Sequence, residues 1–523
     1  PFFPWLSLFS AYILFISQIE AARILAYFPT PSISHQVVFR PLTEALASRG
    51  HEVTVITTDP VYPKGETPLN LTEIDVHDIS YEIWTEEVMK EERGADGDNI
   101  LAPMNTMIQA LLKVFDKQLE DGMIQTLIKQ KKFDLLLLEA YMLPLLALSH
   151  IYKVPVIQVS SFGAVFGNYE TVGAPTHPLL YPTNVRRKLN NLTMWEKVTE
   201  LYYNYNLEQI ILDNYEILGT PILRKHFGPD VPTISELMNN VDMLFLNIHP
   251  MFEGIRPVPP SVVYMSGLHQ KPTKELPKDL KSFLDSSKHG VIYISFGTNV
   301  DPSLLPPEKI QTLVRVFSQL PYDVLWKWNK DDLPGRTDNI RISKWLPQSD
   351  LLKHPKIKVF ITQGGLQSTD EAITAGVPLI GIPMLGDQWF NVERYEFHKI
   401  GVRLDMETLT EDNLKNAIAM TIDDGSYRRN MERYRSLVQD APQSSLERAV
   451  WWTEYVLRHG GAKHLRSPSA NITWTQYLEL ELVLTLLGAL LIAITLILLA
   501  VRVVYKFVSR NYLGVNDSKI KRN

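Results

Sequence analysis

The chain alternates short, uniformly apolar runs with longer segments in which apolar residues recur at helical spacing. In the first half, runs at residues 23–28, 52–57, 133–138 and 154–159 predict strands, and residues 38–49 predict a helix. Strand, helix, strand in this order is the unit from which parallel, doubly wound sheets are built. The first half therefore predicts an α/β domain with a parallel sheet.

A second half repeats the alternation after a proline-rich interval at residues 256–278. We place the domain boundary in that interval, which predicts an N-terminal domain at 23–265 and a C-terminal domain at 266–458. In the second half, strands are predicted at 291–297, 323–328, 340–343, 358–362 and 378–382, and helices at 368–375 and on to residue 458. Two Rossmann-like, doubly wound domains that face each other leave a cleft at the carboxyl ends of their sheets, where such folds bind ligands.

The first residues have the outline of a secretory signal. An apolar run from Leu6 to Ile16 precedes the small residues Ala21 and Ala22, which predicts a signal peptide at 1–22. No basic residue precedes the run, so a buried N-terminal helix remains the alternative.

Near the other end, residues 482–501 are apolar and free of charge, long enough to cross a hydrocarbon core of about 30 Å. They predict a single transmembrane helix at 481–502, preceded by a juxtamembrane linker at 459–480. The tail at 503–523 carries several Lys and Arg residues against one acid, Asp517. By the positive-inside rule this tail is cytoplasmic and the body of the protein lies on the lumenal side.

Two further signals concern the same compartment. Sequons for N-glycosylation occur at Asn70, Asn191 and Asn471, although such triplets also arise by chance. Lys519 and Lys521 resemble a dilysine retrieval signal, with a merely solvated basic tail as the alternative. Together these features predict a single-pass type I protein of the endoplasmic reticulum membrane.

Composition narrows the chemistry. Hydrophobic residues make up 45% of the chain and charged residues 21%, which suits large buried cores. The formal net charge of -6 offers no positive excess for a phosphate backbone, so nucleic acid is not an expected partner. The absence of cysteine excludes disulfides, zinc-thiolate sites and thiol nucleophiles. Any reaction must use histidine, carboxylates, hydroxyls and backbone amides.

An anion site is predicted where the run 358–362 ends. The next residues include Gly364 and Gly365, and a helix begins near Ser368. Small residues let a phosphate approach closely, and the free amides at the helix start donate to it. Many junctions of this kind hold no ligand, so the fragment alone leaves that alternative open.

The longer context resembles one family. From Trp345 the sequence reads WLPQSDLLKHPKIKVFITQGGLQSTDEAITAGVPLIGIPMLGDQWFN, which is similar to the donor-binding signature of the UDP-glycosyltransferases, and the similarity extends over most of the chain. The resemblance implies a GT-B fold, two doubly wound domains across a cleft. It also implies that Trp345 stacks on uracil, that Gln348 helps to bind the nucleoside, and that Glu371 accepts from the ribose hydroxyls.

The same resemblance implies contacts to the rest of the UDP-sugar. The residues implied at the diphosphate are Gly365, Gln367, Ser368, Ser295 and Thr298, and those at the sugar hydroxyls are Asp387 and Gln388. One position departs from the family pattern: many members carry a histidine that donates to the diphosphate where this chain has Gln363, which can donate but cannot carry charge. We expect weaker stabilisation of the leaving UDP there, or compensation elsewhere.

The catalytic end is implied by a Ser-His pair after the first strand. A lone histidine near a helix start is usually structural, but the family motif implies that His35 is the general base that deprotonates the acceptor hydroxyl. A neutral imidazole, with an ordinary pKa of about 6.5, suits that task. The family orients this histidine with an acid, usually Asp, and here the matching residue is Glu139. A strand-end carboxylate that merely faces solvent is the alternative for Glu139.

The implied mechanism is direct displacement with inversion, which gives a β-glycoside from an α-linked donor. No histidine and carboxylate cluster has metal-ligand spacing, so we expect no metal cofactor and expect amides and helix dipoles to stabilise the diphosphate. Two other hypotheses stay open: another two-domain enzyme such as an epimerase or a phosphorylase, and a catalytically silent lipophile-binding homologue.

Insect-like motifs favour glucose as the transferred sugar, with glucuronic acid as the alternative. The acceptor is expected to be a small lipophilic molecule, in detoxification or metabolism, and the sequence leaves a homo-oligomer open. Aromatic and apolar candidates for its pocket are Tyr141, Met142, Phe162, Phe166, Tyr202 and Tyr203.

Overall fold

The computed structural model describes residues 21–89, 101–165, 167–298 and 302–512. In this part of the chain, seven parallel strands form the first sheet, in the order β3-β2-β1-β4-β5-β6-β7. Its strands are β1 (Arg23–Phe28), β2 (Glu52–Thr57), β3 (Leu71–Asp75), β4 (Leu135–Glu139), β5 (Val156–Ser160), β6 (Val241–Leu246) and β7 (Val262–Tyr264). The helices in and around it are α1 (Ile33–Ser48), α2 (His77–Trp84), α3 (Leu101–Glu120), α4 (Gly122–Gln130), α5 (Ala147–Tyr152), α6 (Asn168–Val172), α7 (Met194–Asn214), α8 (Thr220–Phe227), α9 (Ile234–Leu237) and α10 (Pro250–Glu253).

The second sheet contains six parallel strands in the described residues, in the order β10-β9-β8-β11-β12-β13. Its strands are β8 (Val291–Ser295), β9 (Asp323–Lys327), β10 (Ile340–Ser343), β11 (Ile357–Thr362), β12 (Leu379–Gly381) and β13 (Gly401–Arg403). The helices of this half are α11 (Lys278–Ser286), α12 (Pro307–Gln319), α13 (Gln348–Leu352), α14 (Leu366–Ala375), α15 (Gln388–Phe397), α16 (Glu411–Asp423), α17 (Ser426–Gln439) and α18 (Ser445–His459).

Apolar runs explain the layering of both sheets. Successive strand residues point to opposite faces, so an uninterrupted apolar run buries both faces under helices. Ile24 and Leu25 illustrate this, since these neighbours on β1 belong to separate hydrophobic clusters and are both fully buried. The predicted fold class, two doubly wound parallel-sheet domains, is confirmed.

The start of α1 differs from the sequence-based prediction, and strands β3, β6, β7 and β13 were not predicted. Helix α1 begins at Ile33 rather than near residue 38, because extended Ser32 (φ -155) precedes a helical turn that continues through Pro41. Strand β6 was not predicted, although its six residues are buried, because the chain before it reads as helical.

The order of strands creates a crevice in each sheet. In the first sheet the chain order reverses between β1 and β4, and in the second between β8 and β11. At such a reversal, the chain segments that follow the two strands run to opposite sides, so a crevice at the carboxyl ends of the strands stays open to a ligand. Both crevices are flanked by residues that the sequence singles out: His35 and Glu139 in the first, Ser295 and Gln363 in the second.

Helix α18 returns to the first half of the molecule. Its fully buried residues Ala449 and Val456 join the cluster on one face of the first sheet. Glu454, only 3% exposed, forms an ion pair with the Arg49 guanidinium just after α1. The sequence assigned residues 445–458 to the C-terminal domain, whereas in space they complete the core of the N-terminal one.

A separate compact unit begins at Ser469 and contains a short helix, α19 (Trp474–Tyr477), and a long one, α20 (Leu480–Tyr512). The most apolar 18-residue stretch within residues 480–511 has a mean hydropathy of 3.0, and this helix is long and apolar enough to cross a membrane. The predicted signal peptide (residues 1–20 of it), Lys519 and Lys521 of the tail, and Phe166 lie outside the described residues.

The three sequon asparagines share one backbone conformation. Asn70, Asn191 and Asn471 have φ values of 66, 55 and 58 degrees, in the left-handed region, which asparagine tolerates better than most residues. Asn70 and Asn191 are exposed in turns, immediately before β3 and just before α7. Both side chains therefore lie where a glycan can be attached.

We expect the full-length chain expressed in insect cells to carry glycans at Asn70 and Asn191. Each Asn→Gln substitution should then remove one glycan, so that the band migrates faster on a denaturing gel. Enzymatic removal of N-glycans should bring all forms to the same position. A wild-type band that does not move after deglycosylation would contradict both the glycans and the lumenal orientation.

Candidate functional site

His35 lies in the first turn of α1, directly after the loop that leaves β1. This position places it at the carboxyl edge of the first sheet, beside the crevice between β1 and β4. The side chain is 19% exposed, so the ring is held by the protein but still reaches solvent.

Glu139 is the last residue of β4 and is fully buried. Its Oε2 accepts from the backbone N–H of Thr30 at 3.2 Å and from the Thr30 hydroxyl at 2.8 Å. Its Oε1 lies 3.3 Å from Nδ1 of His35. The alternative of a solvent-facing carboxylate is therefore wrong, because the carboxyl group points into the crevice and contacts His35.

Tyr141 also contacts His35 and Glu139, a role that the sequence did not predict. Its hydroxyl lies 2.6 Å from Nδ1 of His35 and 2.6 Å from Oε1 of Glu139. The sequence suggested Tyr141 only as a pocket-lining residue. Its place two residues beyond a strand-end carboxylate was the available signal, but only the fold shows that its hydroxyl turns back to His35.

At the donor end, Gln348 connects the residues implied at the nucleoside. Its Oε1 accepts from the Tyr293 hydroxyl at 2.9 Å, while its Nε2 donates to Ser368 at 2.9 Å and to Glu371 at 2.7 Å. Burial raises the pKa of Glu371 to about 7, opposed by the hydrogen bond from Gln348.

Trp345 presents an open face beside this cluster, since it is 69% exposed. The ammonium group of Lys327 lies 5.9 Å from the centre of the Trp345 ring and donates to the backbone carbonyl of Gly297 at 2.8 Å. Sequence reasoning missed this cation. Lys327 ends β9, and strand ends at the carboxyl edge are the places to look for ligand-binding residues in such sheets.

The glycine turn after β11 has the predicted form. Gly364 has a φ of 91 degrees, and Gly365 is the residue that caps the start of α14. Gln363 packs its amide against Gly297, where an added Cβ would lie 2.3 Å from the Gln363 Nε2. The Gln363 Oε1 is buried and has no hydrogen-bond partner among the described residues. A buried hydrogen-bond acceptor that lacks a hydrogen-bond donor therefore lies at this end of the site.

Asp387 and Gln388 lie at the start of α15. Asn391 donates to Asp387 at 2.8 Å, and the Oε1 of Gln388 accepts from the backbone N–H groups of Met384 and Leu385, both at 2.8 Å. Burial raises the pKa of Asp387, and the hydrogen bond from Asn391 and the charge of His35 oppose that effect. The pair is therefore close enough to His35 to interact with it electrostatically.

The two halves meet directly at the site. The side chain of Gln367 in α14 donates to the backbone carbonyl of Ser161 at 3.2 Å. The adjacent Phe162 ring packs edge-on against His35, with ring centres 5.5 Å apart. The structure thus brings the base candidate, the acceptor-side loop and the donor-side helix together. By contrast, Thr298 is exposed. Among the residues suggested for the acceptor pocket, Tyr202 and Tyr203 are also exposed, and Met142 is buried in the core.

A pocket is lined by residues of α6, α7 and the segment between them. Its apolar wall includes Ala164, Leu207 and Phe390, and its polar wall includes the carboxyl groups of Glu170 and Glu208. Burial raises the pKa of Glu208 to about 7, and the charge of Glu170 adds to the shift.

Comparison with known proteins agrees with this arrangement. A family model described as "UDP-glucoronosyl and UDP-glucosyl transferase" matches residues 24–513. An ecdysteroid UDP-glucosyltransferase of Lymantria dispar multicapsid nuclear polyhedrosis virus is 38% identical over 495 residues, which cover 91% of this chain and 95% of that protein. UDP-glycosyltransferase UGT5 of Dactylopius coccus is 32% identical over 532 residues, 99% of this chain and 98% of that protein.

Among solved structures, a UDP-glucose:anthocyanidin 3-O-glucosyltransferase in complex with UDP superposes with a TM-score of 0.57 at 16% identity. The match covers 83% of this chain and 99% of that one and shows a shared GT-B fold. Fold, donor-side geometry and sequence similarity over nearly the whole chain lead to one conclusion: the protein belongs to the UDP-glucuronosyl and UDP-glucosyl transferase family and is a glycosyltransferase.

Proposed function

We propose that this protein transfers glucose from UDP-glucose to a hydroxyl group of a small lipophilic acceptor, with inversion, in the metabolism or detoxification of small molecules. One observation carries the proposal: the loop that packs on His35 is hydrogen-bonded to α14 of the donor half, and the charge of His35 acts on Asp387. A base and sugar-holding groups meet there, which is the geometry that displacement at a sugar carbon needs.

In this reaction His35 takes the proton of the acceptor hydroxyl. The acceptor oxygen forms a bond to the anomeric carbon while the bond from that carbon to the UDP oxygen breaks, and UDP leaves with the electron pair. Glu139 holds the imidazole and stabilises its charged form once the proton has moved.

The leaving diphosphate needs positive partners, which the chain itself can supply. The N-terminus of α14 offers backbone N–H groups behind the Gly364 and Gly365 turn, and Lys327 donates to Gly297, which packs against Gln363 just before that turn. We propose that these groups compensate for Gln363 and that the reaction proceeds without a metal ion.

The groups that contact Asp387 and Gln388, the two residues implied at the sugar hydroxyls, support glucose as the donor sugar. The groups that contact Asp387 and Gln388 are neutral, the Asn391 amide and two backbone N–H groups, and the unpaired Gln363 Oε1 can accept from a hydroxyl. A glucuronate carboxylate would meet the buried acid Asp387, which repels it. Relatives named as UDP-glucosyltransferases agree with this choice.

The pocket that Glu170 and Glu208 line supports an acceptor with an apolar skeleton and several hydroxyl groups. Its apolar wall suits a greasy skeleton, while Glu170 and Glu208 can accept hydrogen bonds from hydroxyls at the far end. The viral relatives are named for an ecdysteroid acceptor.

We also propose that α20 anchors the protein in the endoplasmic reticulum membrane with the catalytic body in the lumen. The apolar length of residues 480–511 and the exposed sequons support this orientation. The glycan experiment above tests it.

The first functional prediction concerns the donor and the base. Membranes that contain the full chain, incubated with a panel of phenols and an ecdysteroid, should yield glycoside with UDP-glucose and at least about tenfold less with UDP-glucuronate. His35→Ala should lower the rate by about 10²–10⁴ because general base catalysis is lost. Mass spectrometry of the glycoside and assay of released UDP measure both effects, and the rate should be the same with and without EDTA.

His35→Gln serves as a size-matched control for the loss of the ring. Equal rates with both donors would contradict glucose specificity, a rate abolished by EDTA would contradict metal independence, and an active His35→Ala would contradict the base assignment.

The second prediction follows from the pKa of Glu371, raised to about 7 by burial. Ribose hydroxyls donate to the ionised carboxylate, so the affinity for uridine should increase between pH 6 and pH 8, by up to about tenfold as the ionised fraction rises. Uridine carries no phosphate that titrates in this range. Glu371→Gln should bind more weakly with no such pH dependence, as measured by calorimetry; a variant that keeps the wild-type slope would exclude Glu371 as its source.

The third prediction concerns the acceptor. Glu208→Gln should raise KM about tenfold for an acceptor with several hydroxyls, because a bond to a charged group contributes about 1.5–3 kcal/mol. It should leave KM for a simple phenol unchanged, since a phenol has no second hydroxyl to reach Glu208. Asp213→Asn, a surface change on the same helix, is the matched control. Parallel changes for both acceptors would place Glu208 outside the acceptor site.

A further inference from the structure

Tyr141 occupies an unusual position between the base and its carboxylate. The direct distance from His35 Nδ1 to Glu139 Oε1 is 3.3 Å, at the long end for a hydrogen bond between nitrogen and oxygen. The phenol oxygen lies 2.6 Å from each of the same two atoms. The shorter hydrogen bonds that connect the imidazole to the carboxylate therefore run through the Tyr141 hydroxyl.

The protons of this cluster can be assigned by counting donors. The Thr30 hydroxyl donates to Oε2 of Glu139 at 2.8 Å, which leaves Oε1 in need of a donor. The phenol has one proton, and its oxygen lies 2.6 Å from His35 Nδ1, 2.6 Å from Glu139 Oε1 and 2.7 Å from the Thr30 oxygen. A bond to an ionised acceptor is about twice as strong as one to a neutral acceptor, so the phenol proton belongs on Glu139.

This assignment fixes the tautomer of the base. With its own proton directed to Glu139, the phenol oxygen can only accept from His35, so Nδ1 carries the imidazole proton. The Nε2 lone pair is then free for the acceptor hydroxyl. Burial, with the charge of Glu139 adding to it, raises the pKa of Tyr141 well above its ordinary value, so the phenol stays protonated while the imidazole gains a proton.

We propose that Tyr141 is a positioning residue of the transfer reaction, whose hydroxyl links His35 to Glu139 and holds the imidazole in its basic tautomer. The inference rests on the proposed role of His35 as the base. The carboxylate of Glu139 then acts on the imidazole through the Tyr141 hydroxyl as well as by direct contact.

The test removes only the hydroxyl, with Tyr141→Phe in the full-length protein. We expect kcat to fall about tenfold to a hundredfold, a part of what a general base contributes, while KM for UDP-glucose stays within about twofold. The acid limb of the kcat profile should shift to lower pH by about one unit, because the imidazolium loses a hydrogen-bond acceptor. Glu139 and Asp387, the other charged groups that face His35, are unchanged.

Tyr27→Phe is the matched control. Tyr27 is also fully buried and donates one hydroxyl bond, to Gln118 at 3.0 Å, away from His35. Both variants should lose similar thermal stability, but only Tyr141→Phe should change kcat and the pH profile. If the two variants have the same kcat and the same pH profile as wild type, Tyr141 has no positioning role.

A spectroscopic measurement separates this inference from the proposed function. In protein labelled with ¹⁵N-histidine, and with His35→Ala used to assign the signal, the His35 ring should show the Nδ1–H tautomer in wild type and a mixture in Tyr141→Phe. That result supports the link whatever the acceptor is, whereas an unchanged tautomer overturns it. If the wild-type protein forms no glycoside but the His35 tautomer still differs between wild type and Tyr141→Phe, only the proposed function is contradicted.

Discussion

The structure depends on one constraint: the inner strands of its two parallel sheets are covered by helices on both faces. Such a sheet has no free face, so polar chemistry can enter only at the ends of the strands. The carboxyl ends at the two reversals of strand order are the places where that happens, and the candidate groups of both halves are found there. The site follows from the topology before any side chain is considered.

The buried carboxylate of Glu139 then sets the local order. A fully desolvated charge is costly unless several donors surround it, and Thr30, Tyr141 and His35 are those donors. The loop after β1 is therefore tied to the end of β4, which fixes the first turn of α1. The same demand for donors that makes the carboxylate tolerable also orients the imidazole.

Much of this was visible in the sequence. Uninterrupted apolar runs predicted most strands of both sheets, and the glycine turn before α14 identified the second crevice. What the sequence did not reveal depends on contacts distant along the chain. Lys327 became notable only when Trp345 was placed beside it, and the hydroxyl of Tyr141 only when the turn after β4 folded back. Strand β6 escaped notice because a short buried run has no periodicity that separates strand from helix.

The return of α18 to the first half changes what a domain means for this chain. The polypeptide crosses between the halves twice, once before α11 and once before α18, and the second crossing completes a core begun more than four hundred residues earlier. A chimaera that joins the halves of two relatives at the proline-rich interval would therefore pair α18 of one parent with the sheet of the other. A sound exchange must carry residues 445–459 with the N-terminal half, since in packing they are its last element.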